Sequence, residues 1–186
     1  MTAPVHIPVE IKILDEALLE FGLPQPATEG AAAADLTALS VFGKTADNKP
    51  DTKAPPVPIV DVLRIDPWDT AYVSVGFAMD IMDPGYAAHL IPRSSSSALN
   101  MAMANTVGLL DSDYHGPVII ALFNRNLPGG KAIEIRRGER IAQMYLAPVV
   151  RADWKPVQEF SRTTGRGASG FGSTGTAENR TTGKQQ

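Results

Sequence analysis

The feature that most limits what this chain can fold into is a succession of short apolar runs, each closed by a turn signal. Runs at 59–65, 72–81, 86–91, 118–123, 132–135 and 141–150 are punctuated by Asp66-Pro67-Trp68-Asp69, Asp83-Pro84-Gly85 and Leu127-Pro128-Gly129-Gly130. Proline and glycine stand where the chain must reverse. The opening segment Val9-Glu10-Ile11-Lys12-Ile13-Leu14 alternates with period two and reads as a further strand. Many short strands with such punctuation predict an all-β barrel or sandwich. Residues 15–21 have room for about two turns of helix. Residues 96–104, with Leu99, Met101 and Met103 among the helix-forming Ala98, Ala102 and Ala104, predict a second helix.

Two stretches differ from the rest. Residues 43–58 mix charge with four prolines and read as an exposed loop. From Ser161 the composition turns to Gly, Ser, Thr and Arg, which cannot bury enough apolar surface to fold alone. The expected organisation is therefore one domain over 1–160 and a glycine-rich arm over 161–186. A length of 186 residues suits one core with appendages.

The net charge of −3 gives no basic field for nucleic acid, although local arginines remain able to hold one phosphorylated small molecule. With no cysteine, thiolate metal sites, disulfides and cysteine nucleophiles are excluded. His6, His89 and His115 lack zinc spacing and read as surface or satisfied core residues, and the methionines read as core fillers. No leader pattern and no run of the roughly 18 apolar residues that a membrane span needs is present, so the expectation is a cytoplasmic protein with no membrane partner.

The densest chemistry lies in Asn105-Thr-Val-Gly-Leu-Leu-Asp-Ser-Asp-Tyr-His-Gly116, where two carboxylates and an aromatic ring sit between apolar runs that predict a β-hairpin. Asp111 and Asp113 either serve the turn's backbone or supply one carboxylate that takes a proton from water attacking phosphorus. Pro92-Arg93-Ser94-Ser95 reads as a polar turn or as a phosphate-holding set. Gln143, on the strand after Arg137-Gly-Glu-Arg140, hints at a ligand. In the arm, Arg166 and Phe171 stand among glycines and hydroxyls, as a flexible tail or as a clasp for phosphates and a flat base.

Taken in order, these segments resemble the five motifs of the trimeric dUTPase family in its bacterial or phage form. The matches are Gly30-Ala-Ala-Ala-Ala-Asp35-Leu-Thr-Ala38, Pro92-Arg-Ser-Ser95, residues 105–116, Gly138-Glu-Arg-Ile-Ala-Gln-Met144 and Arg166-Gly-Ala-Ser-Gly-Phe-Gly-Ser-Thr-Gly175, together running over most of the chain. The resemblance implies a jelly-roll-like β-barrel homotrimer with active sites between subunits and an arm that closes a neighbour's site. It implies hydrolysis of dUTP to dUMP and pyrophosphate, removing dUTP and supplying dUMP for dTTP synthesis. In that scheme Asp111 is the general base, and Mg²⁺ rides on the triphosphate and is held by Asp35 through water.

The same resemblance gives Asn105, Leu109 and Leu110 the uracil edge, Ile119 the base and Tyr114 the deoxyribose. Arg93, Ser94, Ser95 and Gln143 would hold phosphates, Arg166, Ser173 and Thr174 would clasp the terminal one, and Phe171 would stack on uracil. Departures are Ala33 and Ala34 in the first motif, Ser95 for a glycine with the downstream lysine and glycine absent, Ser169 for a glycine, and the insertion at 43–58. A residue with a side chain fits at position 95 only if its φ is negative. A dCTP deaminase shares the fold, but its deaminating glutamate is not matched by Asp111-Ser-Asp-Tyr114. A nucleotide-switched regulator working through 43–58 or the arm is the other class of reading.

Overall fold

In the computed structural model, which describes residues 5–168, the apolar runs become strands. In chain order they are β1 (Val9–Ile13), β2 (Ala34–Thr37), β3 (Ser40–Phe42), β4 (Val57–Pro58), β5 (Leu63–Ile65), β6 (Thr70–Ile81), β7 (Tyr86–Pro92), β8 (Met101–Met103), β9 (Gly108–Leu110), β10 (Pro117–Asn124), β11 (Ile133–Ile135) and β12 (Arg140–Pro148). A short helix, α1 (Ala17–Phe21), follows β1, and a 3₁₀ turn covers Ser94–Leu99. The described chain falls into two units divided between Val150 and Arg151.

Strand β6 is the spine of the first unit, and every residue from Val73 to Met79 is buried. A strand covered on both faces loses the alternation of a half-exposed one, which explains the continuous apolar run. Its first half pairs with β3 (Val41 opposite Val73) and its second half with β1 (Ile13 opposite Phe77). The change of partner falls at Gly76, whose φ is +85° and whose carbonyl accepts from both Leu14 and Asp15 N–H groups at 2.8 and 3.0 Å. A Cβ there would collide with Leu39, so both the conformation and the close approach require glycine.

Around β6 the first sheet runs β4-β3-β6-β10-β8, with β1 added on β6. A second sheet runs β2-β12-β7-β9, and β5 and β11 form a two-stranded ribbon. Val73, Val75, Phe77, Val118, Ile120 and Leu122 from the first sheet share one buried cluster with Leu36, Ala88, Leu90, Ile141 and Ala142 from the second. β10 alternates buried and half-buried along its whole length. This is the all-β fold that the sequence predicts. Among the described residues no helix is long and apolar enough to cross a membrane.

Three expectations need correction. The helix over 96–104 is replaced by the 3₁₀ turn and β8. Asn100 takes the left-handed conformation (φ +51°) and ends the turn, and Met101 and Met103 are both buried with Ala102 between them, a period-two pattern paired on β10. Helix propensity yields here to a ladder. Residues 105–116 do not close a two-stranded hairpin, because β9 pairs with β7 in one sheet and β10 with β6 and β8 in the other. The segment carries the chain from one sheet to the other. The end of the 43–58 loop is also partly ordered into β4 on β3, and the loop is tied down by Tyr72 Oη donating to Asn48 O at 2.5 Å and by a Lys44–Asp69 ion pair. The Lys44 ammonium holds the Asp69 carboxyl below its usual value.

The second unit has neither helix nor strand among its described residues, 151–168, and its last turn is closed by Gly167 N–H donating to Thr164. The arm residues Phe171, Ser173 and Thr174 lie outside the described residues. Because Phe77 is 1% exposed at the centre of the spine, Phe77→Ala is expected to cost about 3–5 kcal/mol in a urea unfolding titration.

Candidate active site

The site grows from the middle of the second sheet. β12 lies between β2 and β7 with Gln143 opposite both Asp35 and Ile91, so one row crosses three strands. Leu36, Ala88 and Leu90 turn into the core, so by the period-two rule Asp35, Gln143 and Ile91 share the opposite face. Arg93 follows directly after β7 and reaches back to this row.

There a compact polar cluster forms. Asp35 accepts hydrogen bonds from Arg93 Nε at 2.9 Å, Arg140 Nη1 at 3.0 Å and Gln143 Nε2 at 3.2 Å. Arg93 Nη1 also donates to Arg140 O at 3.2 Å and to Ser95 Oγ at 3.5 Å. The Asp35 side chain is 18% exposed and Arg93 23%, whereas Arg140 is 56% exposed. A carboxylate that is this well covered needs both guanidinium groups to offset its desolvation.

Arg140 is the residue that sequence reasoning passed over. Its signals were its place in the Gly138–Met144 segment that resembles the fourth motif and at the head of the strand that carries Gln143. The turn before it is rigid, since Gly138 N–H donates to Ala38 O at 2.7 Å and Ala38 N–H donates to Glu139 O at 2.8 Å. Gly138 has φ +82° with the Phe21 ring packed where a Cβ would stand. Arg137 anchors the same turn by a fork onto Asp15 at 3.0 and 3.2 Å.

A cavity of about 470 Å³ opens beside the cluster, lined by Arg93, Ser95, Leu99, Gly138, Glu139 and Arg140 among others. Ser95 is exposed at its rim, and Ser94, also exposed, lines a neighbouring cavity with Arg93. Ser95 is not among the positive-φ residues, so its side chain is accommodated without strain in place of a glycine. Cationic donors, hydroxyls and backbone N–H groups at one strand end suit an anionic oxygen-rich ligand.

Asp111 and Tyr114 are elsewhere. Leu110 pairs with Ala88, placing residue 111 level with Ala87. From Ala87 to Arg93 along β7, at about 3.3 Å per residue, is roughly 20 Å. The structure therefore brings Asp35, Arg93, Ser95 and Gln143 together, and holds Asp111 far from them within one chain.

The 111–116 turn is nevertheless well defined. Tyr114 N–H donates to Asp111 O and Ile81 N–H to Ser112 O, both at 3.2 Å. The Tyr114 ring folds back over Gly116 with Oη donating to Pro117 O at 3.2 Å, and a Cβ at 116 would overlap that ring. Asp111 is exposed at the head of the turn. Leu109 is 60% exposed while Leu110 packs on the core. Asn105 is exposed and its carbonyl accepts Val107 N–H at 2.6 Å. Ile119 is half-buried on β10. Arg166 falls in the second unit.

Among the described residues no three His, Asp or Glu gather into a cage for a metal ion. Asp35 fits a looser role. Its Oδ1 accepts Arg93 and Gln143 and its Oδ2 accepts Arg140 alone, so of about four lone-pair sites one on Oδ2 is left for a further donor such as a metal-bound water.

The fold and the polar cluster suit a protein that binds an anionic ligand, and the comparisons name the class. The dUTPase family model matches residues 61–175. The deoxyuridine 5'-triphosphate nucleotidohydrolase of Shewanella pealeana is 39% identical over 91% of this chain and 97% of its own. A dUTPase mutant of Staphylococcus bacteriophage 80alpha, solved with dUpNHpp, covers 91% of this chain and 99% of its own at TM-score 0.68 and 21% identity. A mutant dUTPase of the S. aureus phage phi11, described with a structural Mg(II) ion, covers 83% of this chain and 99% of its own at TM-score 0.63 and 18% identity. The chain belongs to the dUTPase family.

Removing the carboxylate leaves two guanidinium groups facing each other without a counter-charge. Asp35→Ala is expected to lower the unfolding free energy by about 3 kcal/mol. Arg140→Ala, at a half-exposed position, should cost about 1 kcal/mol or less in the same denaturant titration.

Proposed function

We propose that this protein hydrolyses dUTP to dUMP and pyrophosphate, removing dUTP and supplying dUMP for dTTP synthesis. Family membership gives the reaction class. The observation that carries the site is the Asp35, Arg93, Arg140 and Gln143 cluster, built on three of the family's motif segments beside a cavity that suits phosphates.

In this reading Arg93, Ser94, Ser95 and Gln143 hold the phosphate chain. Mg²⁺, carried on the triphosphate and met by Asp35 through water, supplies neutralisation of the phosphate oxygens when bound. Asp111 accepts a proton from water as that water forms a bond to the α-phosphorus. The bond from the α-phosphorus to the oxygen bridging to the β-phosphate breaks, and pyrophosphate leaves with that oxygen. Backbone groups at Asn105, Leu109 and Leu110 read the uracil edge, Ile119 packs on the base, and the Tyr114 ring fills the space that a 2′-hydroxyl would need. A buried polar edge rejects the wrong base because its own groups are left unpaired. Arg166, Phe171, Ser173 and Thr174 complete the assignment on the terminal phosphate and the base.

The span of roughly 20 Å between Asp111 and Arg93 along β7 supports a site shared between copies, Asp111 coming from one and the phosphate cluster from another. A homotrimer with sites between subunits is the assembly proposed.

Two measurements test this. Mg²⁺-dependent pyrophosphate release is expected from dUTP and not from dCTP, dTTP or UTP, with Asp111→Asn slower by about 10²-fold or more. Mixing inactive Asp111→Asn with inactive Arg93→Ala subunits is expected to restore turnover, since some sites then draw an intact Asp111 from one variant and an intact Arg93 from the other. No recovery after verified subunit exchange would place both residues in one chain's site.

A further inference from the structure

Besides Tyr114 Oη on Pro117 O at the start of β10, the turn that carries Asp111 and Tyr114 has a side-chain tie to β6, made by His115. Its Nε2 stands 3.1 Å from Oδ2 of Asp80. Asp80 lies near the end of β6, and Pro117 pairs with Ala78 on the same strand, so His115 falls level with Asp80 on the β10 side. On the other side Glu10 of β1 is directly opposite Asp80. A row of carboxylate, carboxylate and imidazole therefore crosses the sheet end, beside a cavity of about 250 Å³ that Lys12 and Met79 also line.

Two carboxylates opposed across a ladder repel each other. Lys12, two residues along β1 and opposite Ala78, offsets them only diagonally. An imidazolium at 115 meets Asp80 directly, with Glu10 beyond it on the other side of β6. Asp111 and Asp113 of the same turn add negative charge from its other end, while Tyr114 is taken up by Pro117 O. The adjacent backbone bond, Ile81 N–H to Ser112 O, fixes the middle of the turn. The side-chain bond fixes its far end, next to the Tyr114 ring that folds over Gly116.

We propose that His115 is a positioning residue which, through Asp80 and Glu10, holds the Asp111–Tyr114 turn in register, and that its hold is strongest when the imidazole is charged. The inference rests on the hydrolytic reading of that turn. With the imidazole charged, the turn is bound by an ion pair to Asp80, with Glu10 beyond it across β6. With the imidazole neutral, only a hydrogen bond to Asp80 remains.

The test compares wild-type protein with His115→Gln, which keeps a hydrogen-bond donor but not the titrating charge. The ratio of their kcat values for dUTP is expected to be about five-fold at pH 6 and to approach one by pH 8.5, with KM little changed. Asp80→Asn should remove the pH dependence of that ratio. A ratio that stays constant across this range, or a pH dependence that survives Asp80→Asn, overturns the proposal.

Hydrogen exchange at the amides of 112–115 in the nucleotide-free protein gives a second readout independent of turnover. After correction for intrinsic rates, protection in the wild type should fall between pH 6 and pH 8.5, and that in His115→Gln should not change. If protection behaves this way while no nucleotide is hydrolysed, the hydrolytic reading fails and the His115 tie stands. If turnover is normal and protection is the same in both proteins, the His115 tie fails alone.

Discussion

The position of β12 between β2 and β7 is the constraint on which the candidate site depends. Pairing on both edges fixes Gln143 level with Asp35 on one side and Ile91 on the other. Because side chains alternate, a slip of one residue would send Gln143 into the core and bring Met144 out to face Asp35. The buried half of the same strands prevents that slip, since Ile141 and Ala142 belong to the shared core with Leu36 and Leu90. Packing and polar geometry are thus set by one register. The core holds the ladder, and the ladder aligns donors that come from three separate places in the chain.

Charge explains why the cluster has the composition it does. Asp35 and Arg93 are both mostly covered, and either one alone in that setting would be an uncompensated charge. Arg140 adds a second guanidinium on the same carboxylate, and it is the more exposed of the two. Both arginines line the cavity and present donors that an incoming phosphate chain would answer. Asp35 also holds Arg93 at its Nε, and Arg93 Nη1 is occupied by Arg140 O and Ser95 Oγ, so the guanidinium plane is set before any ligand arrives. Such preorganisation lowers the ordering cost of binding.

Much of the fold is legible in the sequence because turn chemistry and apolar runs are local signals. β6, β7, β10 and β12 follow runs bounded by Pro, Gly and Asp. The failures are equally physical. Ala98, Ala102 and Ala104 favour a helix, yet Met101 and Met103 are separated by two and gain more from a place on β10 than from helical turns. The hairpin at 105–116 failed because sequence shows that a chain reverses but not which sheet each arm joins. The candidate site was legible by motif: Asp35, Arg93 and Gln143 are 58 and 50 residues apart in steps along the chain and still meet. Arg140 was hidden because a charged residue at a strand start is common on any surface, and only the bond to Asp35 distinguishes it.

The distance between the 111–116 turn and the Asp35 cluster follows from strand direction. β9 runs antiparallel to β7, so the chain leaving Leu110 moves toward Ala87 and away from Arg93. No local adjustment of the 111–116 turn closes a gap of roughly 20 Å, and its ties to Ile81 and Asp80 hold it at the far end of β6. Reversing β9 would reverse its register with Leu90, where Gly108 already approaches so closely that a Cβ would stand 2.9 Å from Leu90 Cβ. In the hydrolytic reading proposed above, the single chain is therefore incomplete as a site. In the proposed assembly each copy offers a phosphate cluster at one end of the second sheet and a base-reading turn at the other. Contact between opposite ends of neighbouring copies then makes every site from two chains. Such a contact is heterologous, and it closes into a ring when the rotation between copies is a whole fraction of a turn.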